Sequence, residues 1–289
     1  MPPHFNAIDL HTHTTASDGS FNPSDLVRAA KNVGLDAIAI TDHDTIGGLE
    51  EATRTANTLG IELVTGVELS VEDDEGRFHL LGYLFDPNDV TLTTTLVTLR
   101  KSRAARNELM GTKLAELGLS ITMDDVRAEA GNSDVIARPH FAQAMLKKQI
   151  VSSVKEAFDR YLASDKPLYL PKEVLTPAQA VGLIHDAGGL AVIAHPGLIP
   201  MREEKLSARI ETLILRDGID GIEAHYSQHS PAETERFVSL ARRAGAIVTA
   251  GSDFHGTPKP HVSLGGVASG RPAPYTILEN MRTRLKDRG

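Results

Sequence analysis

The chain contains no cysteine among its 289 residues. Disulfides are therefore excluded, as are zinc ribbons and iron–sulfur clusters held by thiolates. Any metal must be bound through nitrogen and oxygen. No apolar run approaches the roughly 18 residues that a membrane-spanning helix needs. The opening Met1-Pro2-Pro3-His4-Phe5-Asn6 lacks the basic region and apolar stretch of a secretory signal, so the expectation is a cytoplasmic protein without membrane contact. There is no internal repeat, no low-complexity tract and no Ser-His elbow motif. Positive charge is in deficit, with 30 Lys+Arg against 38 Asp+Glu and a formal net charge of −8. That balance argues against coating long nucleic acid by bulk electrostatics. It leaves open a small anionic substrate held by bound cations. No obligate protein partner is evident.

The composition, 41% hydrophobic and 24% charged, is that of an ordinary globular chain. The length suits a single α/β barrel. Strand patterns fall at Phe5–Leu10, Asp36–Thr41, Ile61–Val67 and Phe78–Phe85, and later at Leu190–Ala194, Ile219–Glu223, Ala246–Ala250 and Leu264–Val267. Helical patterns separate most of them; one opens with the cap Asn22 and Pro23 and closes at Gly34. Strand–helix alternation predicts a parallel sheet with crossover helices. From about Thr91 to Leu175 helical patterns dominate, with Pro167-Leu168-Tyr169-Leu170-Pro171 as an extended return. We therefore expect a discontinuous barrel, residues 1–90 and 176–289, carrying a helical insertion or cap over residues 91–175.

The ionisable residues cluster where strands end. His11 and His13 follow the first strand, two residues apart and so on one face of an extended backbone. Asp18 lies just beyond. His43 follows the second strand in Thr41-Asp42-His43, and Glu68 follows the third. His195 follows the fifth in Ala194-His195-Pro196, and Asp253 and His255 follow a late strand in Ser252-Asp253-Phe254-His255. In a closed parallel barrel these loops meet at one mouth. His79, early in its strand, is the exception; either that strand runs in a different sense, or His79 is a satisfied strand histidine.

These residues resemble the PHP family, named for polymerase and histidinol phosphatase, over most of the chain. The resemblance implies a distorted seven-stranded (β/α) barrel of PHP type with a helical insertion, holding two to three divalent metal ions. Mn²⁺ is the first choice, with Fe²⁺ or Zn²⁺ as alternatives. By resemblance, one metal would take His11, His13, Glu68 and Asp253. A second would take Glu68, His79 and His195, and a third Asp18, His43 and His255. Glu68 would bridge and be catalytic, and a metal-bridging hydroxide would attack phosphorus.

Ala137-Arg138-Pro139-His140-Phe141 and Tyr226-Ser227-Gln228-His229-Ser230 are similar to one subgroup, which removes the 3′-phosphate from 3′,5′-bisphosphorylated nucleosides and in part trims short RNA from the 5′ end. The implied substrate is a small phosphorylated molecule, a nucleotide or short RNA. Histidinol-phosphate phosphatase and a noncatalytic metal-binding domain are the rival readings. Arg138 is the candidate phosphate clamp, with an ordinary salt bridge as its other reading. His229 could bind phosphate or protonate the leaving oxygen, or serve only as a polar residue at a helix entry. Asp9 is expected to orient a ligand imidazole. The basic run Arg100–Arg106 could steer an anion or hold a second phosphate, although a solvated helix face accounts for it more simply. His4, His185 and His261 read as surface residues.

Overall fold

The computed structural model describes residues 7–131, 136–171, 173–267 and 272–288. The chain divides into two compact units, Met1–Thr95 with Val174–Gly289, and Leu96–Glu173. The expected insertion at 91–175 and this division differ by a few residues at each end, one boundary falling inside a continuous helix.

The first unit opens with β1 (Ala7–Asp9), α1 (Pro23–Asn32), β2 (Ala37–Ile40), α2 (Leu49–Leu59), β3 (Glu62–Asp73) and β4 (Gly76–Tyr83). Asn22 caps α1 by accepting from the Asp25 N–H, and Gly60 ends α2 in the left-handed conformation. A helical stretch begins with α3 (Val90–Glu116) and continues as α4 (Met123–Ala130), α5 (Arg138–Lys147) and α6 (Val154–Ala157), which runs into a π turn over Phe158–Leu162. Alternation then resumes with α7 (Pro177–Asp186), β5 (Leu190–Ile193), α8 (Glu203–Asp217), β6 (Gly221–Tyr226), α9 (Pro231–Ala244) and β7 (Ile247–Gly251), and ends with β8 (Ala273–Pro274) and α10 (Thr276–Arg288).

The sheet order is β7-β6-β5-β4-β3-β2-β1-β8. Leu10 N–H donates to Ala250 O (3.2 Å) and Thr12 bridges Phe254, so the β1 end meets the β7 end and the ring is nearly closed. Inside it, Ile8, Leu10, Ala37, Ala39, Leu81, Tyr83, Val192 and Ala250 form one core cluster with Leu278 and Met281 of α10. β2 and β5 are buried throughout, as strands covered on both faces must be. β4 is antiparallel to both β3 and β5, which gives the different strand sense that His79 suggested.

Three details differ from expectation. The sheet has eight strands rather than seven, because the two-residue β8 adds antiparallel to β1. Leu264–Val267 forms no strand: Gly265, at φ 78°, turns the chain there and its N–H donates to Asp9 Oδ2 at 2.8 Å. The expected first strand keeps Ala7–Asp9, whereas Phe5 and Asn6, like His4, lie outside the described residues.

In the second unit, Met110, Leu114, Phe141, Met145, Leu162 and Leu168 belong to a separate core. Thr122 and Asp125 form a reciprocal capping box at the start of α4. The basic run on α3 forms the expected solvated face only in part: Arg100 and Lys101 are exposed, whereas Arg103, Arg106 and Asn107 are 8%, 6% and 4% exposed. Among the described residues, no helix is long and apolar enough to cross a membrane.

Candidate metal centre

Parallel strands deliver their C-terminal loops to one mouth, and the reversed β4 delivers its beginning to the same place. Glu68, inside β3, pairs with Leu81, while His79 pairs with Ser70. His79 is thus the diagonal neighbour of Glu68 across an antiparallel ladder, within reach of a long side chain. Its Nδ1 lies 2.7 Å from Glu68 Oε1.

Glu68 is fully buried and its two oxygens face different imidazoles. Oε1 lies 2.7 Å from His79 Nδ1 and 2.9 Å from His195 Nε2. Oε2 lies 3.2 Å from His11 Nε2, 3.1 Å from His13 Nε2 and 3.2 Å from His43 Nδ1. Potential ligand atoms of His11, His13, Glu68 and Asp253 lie within 4.8 Å of one another, as do those of His13, Asp18, His43 and His255, and those of His43, Glu68 and His79. All nine expected ligands therefore fall in one connected cluster. Relative to the expected sets, His13 joins Asp18, His43 and His255, while His43 stands beside Glu68 and His79.

Outer partners fix these side chains. Glu223 Oε1 lies 2.8 Å from His11 Nδ1, and its Oε2 accepts the His195 N–H at 2.7 Å. His195 stands at φ 26° and Asp253 at φ 59°, unusual conformations for residues with a Cβ, and strain of this kind collects at functional sites. Asp253 turns Oδ1 toward His11 and His13 (3.6 and 3.4 Å), while Oδ2 accepts from Tyr226 Oη at 2.9 Å and Lys259 Nζ at 2.6 Å. Burial, reinforced by Asp253, raises the Tyr226 phenol, so it stays protonated and donates. Asp42 accepts from Thr14 N–H, Thr14 Oγ1 and Ser17 Oγ (2.7, 2.6 and 2.5 Å), tying the loop after β1 to the one after β2.

Asp9 does not orient an imidazole as expected. Its carboxylate accepts from the backbone N–H groups of His11, Ser252 and Gly265 and from Ser252 Oγ. It aligns the two ligand-bearing loops, and Glu223 holds the ring. Glu223 and Lys259 were not among the residues singled out by sequence, and Tyr226 entered only as part of the Tyr226–Ser230 motif, with no role. A carboxylate on the last residue of the expected strand Ile219–Glu223 was the available signal for the first of them.

The electrostatics suit a cation. Burial alone would raise the Glu68 carboxyl, but His43, His79 and His11 hold it well below the usual range. Burial pushes His43 down to about 3, leaving a neutral ring whose lone pairs can ligate. For His13 burial is outweighed by Asp253 and Glu68, which raise it to about 9. His13 Nε2 and His79 Nδ1 are buried without a hydrogen-bond partner of acceptable geometry among the described residues, despite the Glu68 oxygens beside them. Buried ring nitrogens left so are rare and need a reason. Divalent cations shared with those carboxylates supply one, and binding them would release the proton on His13. The residues present fit a metal centre.

The two expected substrate contacts have particular surroundings. His229 is buried, and burial lowers its pKa. Its Nδ1–H donates to Ala224 O at 3.0 Å and its Nε2 accepts the Gly197 N–H at 3.1 Å. Ala224 is the extra residue where the β6–β7 register shifts between Glu223 and His225, a bulge next to the site. Both ring nitrogens are thus committed to backbone, which fits a latch on the loop after His195 rather than a phosphate contact or proton donor. A Cβ on Gly197 would stand 2.7 Å from the His229 ring, so only glycine permits that approach. Arg138 lies in the second unit, where it donates to Leu162 O (3.1 Å) and faces the rings of Phe158 and Tyr169. His261 is exposed, but His185 is half-buried, with Nε2 2.8 Å from Asp220 Oδ2, and is not the free surface residue expected.

A family model described as the PHP domain matches residues 9–214. A 3′,5′-nucleoside bisphosphate phosphatase from Chromobacterium violaceum is 36% identical over 251 residues, covering 86% of this chain and 87% of its own. The 5′-3′ exoribonuclease Rnm of Escherichia coli is 33% identical over 261 residues, covering 89% and 87%. A solved structure from Bifidobacterium adolescentis, assigned as a metal-dependent phosphoesterase, is 30% identical with a TM-score of 0.80, and the match covers 96% of each chain.

Proposed function

The chain belongs to the PHP-domain family, and on that premise we propose that it is a metal-dependent phosphatase of 3′,5′-bisphosphonucleotides, removing the 3′-phosphate to leave a 5′-mononucleotide. Adenosine 3′,5′-bisphosphate is the reference substrate. The observation that carries this reading is the two-sided Glu68, buried between five imidazoles with His79 and His195 on one oxygen and His11, His13 and His43 on the other. A carboxylate so placed can bridge two cations.

Two to three divalent ions fit the donor set, with Mn²⁺ preferred and Fe²⁺ or Zn²⁺ as alternatives. When bound, they supply Lewis acidity toward phosphoryl oxygens and acidify water for attack on phosphorus. The side chains do the remainder. His11, His13, Glu68 and Asp253 would hold one ion; Glu68, His79 and His195 a second; Asp18, His43 and His255 a third. Glu223, Tyr226 and Lys259 keep those ligands aimed, and His229 holds the loop that carries His195. His79, 35% exposed at its side chain, marks the open edge where a phosphoryl group enters. Arg138 is our candidate for the second phosphate of the substrate, which a guanidinium can grip through two N–H groups. The same chemistry on a phosphodiester would trim short RNA from its 5′ end, the activity named for the exoribonuclease relative. Nucleotide substrates of this kind would be met in the cytoplasm.

Phosphate release from adenosine 3′,5′-bisphosphate in Mn²⁺, with AMP and histidinol phosphate in parallel, tests the reading. Fast release from the bisphosphate alone, abolished by Glu68→Gln, is the expected result. Preference for histidinol phosphate would replace the nucleotide reading. Silence on all three substrates and on short RNA would leave a noncatalytic metal-binding domain.

A further inference from the structure

Within the helical unit, α3, α4 and Ile136 line a cavity of about 450 Å³ that shares no residue with the histidine–carboxylate cluster. Among the described residues four cations line it, Arg100, Lys101, Arg103 and Arg127, against one carboxylate, Glu108. Glu108 is already paired with Arg127 at 2.8 Å, and Arg127 also reaches Asp124 at 2.9 Å. Arg100 and Lys101 have no ion-pair partner among the described residues. The polar lining is rigid in part: Asn107, buried, accepts from Arg106 at 2.7 Å and donates to Ile136 O at 2.8 Å. Arg103 beside it is more than nine-tenths buried. Val97, Ala104 and Ile136 add an apolar wall.

The protein as a whole is acidic, at −8, so the net-positive described lining of this cavity is a local departure that favours anions. The volume exceeds one phosphate group, and the apolar wall suits ribose or base. Among the described residues no aromatic side chain lines the cavity, so binding would depend on phosphate charge with little regard to sequence.

We propose that this cavity binds the phosphodiester backbone of short RNA, with Arg100 and Lys101 as the phosphate contacts, as a second holding point for polymer substrates. The proposal rests on the nucleotide reading given above and deepens it. The site grips the body of an oligonucleotide and plays no part in hydrolysis of a mononucleotide. An acidic peptide would meet the same charges but would leave the apolar wall unused.

The test is fluorescence anisotropy with a 5′-phosphorylated, 3′-fluorescein-labelled hexa-adenylate RNA, in EDTA so that nothing is cleaved. Wild type is compared with the double variant Arg100→Gln, Lys101→Gln, whose changes lie on an exposed helix face. We expect the variant to bind at least 10-fold more weakly at low salt. Its log–log salt slope should be flatter by about 1.4, two phosphate contacts at roughly 0.7 each for single strands. Release of phosphate from adenosine 3′,5′-bisphosphate in Mn²⁺ should be unchanged. Equal RNA binding by variant and wild type overturns the proposal. So does displacement of the RNA by poly-glutamate as readily as by unlabelled RNA, or a parallel fall in bisphosphate hydrolysis. If wild type lacks bisphosphatase activity altogether, the functional reading above fails, while the RNA-binding comparison still stands or falls by itself.

Discussion

Glu223 Oε1 sits 2.8 Å from His11 Nδ1 while its other oxygen takes the backbone N–H of His195 at 2.7 Å. One buried carboxylate therefore sets the ring of His11 on β1's loop and the backbone of His195 on β5's loop. Outer partners of this kind raise ligand basicity and hold geometry, and their loss commonly lowers metal affinity 10- to 100-fold. Glu223→Gln, which keeps the shape and removes the charge, should weaken Mn²⁺ binding by about that range. Titration calorimetry of the metal-free protein reads it directly, and unchanged affinity would remove Glu223 from the centre.

Tyr226 and Lys259 both hold Oδ2 of Asp253, leaving Oδ1 toward His11 and His13. Tyr226→Phe and Lys259→Ala should each free Asp253 to rotate and lower Mn²⁺ affinity by about 10-fold. Because both groups share one oxygen, the double variant should lose less than the sum. Strictly additive losses would mean that the two act independently of Asp253.

Gly251 packs against the first ligand loop so closely that a Cβ would stand 2.1 Å from His11 Cβ and 2.7 Å from its backbone nitrogen. Gly251→Ala must push the β7 end away from the β1 end. We expect a destabilisation of about 1–3 kcal/mol, the range for overpacked cores, together with loss of metal-dependent thermal stabilisation. A variant that unfolds at the wild-type temperature and still responds to Mn²⁺ would contradict this.

Asp220 gives a pH dependence remote from the metal ligands. Burial would raise its carboxyl, but His185, Ala191 N–H and Arg288 hold it below the usual carboxylate range. A carboxyl depressed in the folded state contributes stability that is present above its unfolded value, near 3.8, and is lost as pH falls through the folded value. Asp220→Asn should therefore cost about 1.5–3 kcal/mol at pH 7, as expected for hydrogen bonds to a charged group. The gap to wild type should shrink in acid. Urea unfolding at pH 7 and pH 3 checks the sign, and a gap that widens at pH 3 would contradict it.

The histidine–carboxylate cluster was legible because strand ends announce themselves locally. His11 and His13 stand two apart after an apolar run, and His43, Glu68, His195 and Asp253 each follow one. Even the exception at His79 was informative, since an antiparallel β4 is what brings it to Glu68. The supporting residues were illegible for a physical reason. Glu223's place at a strand end was visible, but its pairing with His11 across 212 residues of chain is set only by the fold. Lys259 lies in a loop after the last ligand and becomes meaningful only when its ammonium meets Asp253. His229 drew attention as a histidine near a helix entry, but which of its nitrogens are free depends on a bulged carbonyl and a glycine N–H that only the fold brings together. Leu264–Val267 followed a strand-like pattern, and Gly265's turn overrode it.

The placement of β1 bears on how the protein is made. This strand, the first of the described elements in chain order, lies between β2 and β8, and its loop is joined to β7's; Asp9 and Ser252 are hydrogen-bonded across 243 residues. A nascent chain that has released β6 still lacks Asp253 and His255, and its β1 edge stands unpaired, open to association with other chains. Contacts of such long sequence separation form late and slowly. The histidine–carboxylate cluster therefore stays incomplete until β7 and the loop after it are made, and a translation product arrested before Ile247 should stay protease-sensitive in Mn²⁺ under conditions that protect the full 289-residue chain.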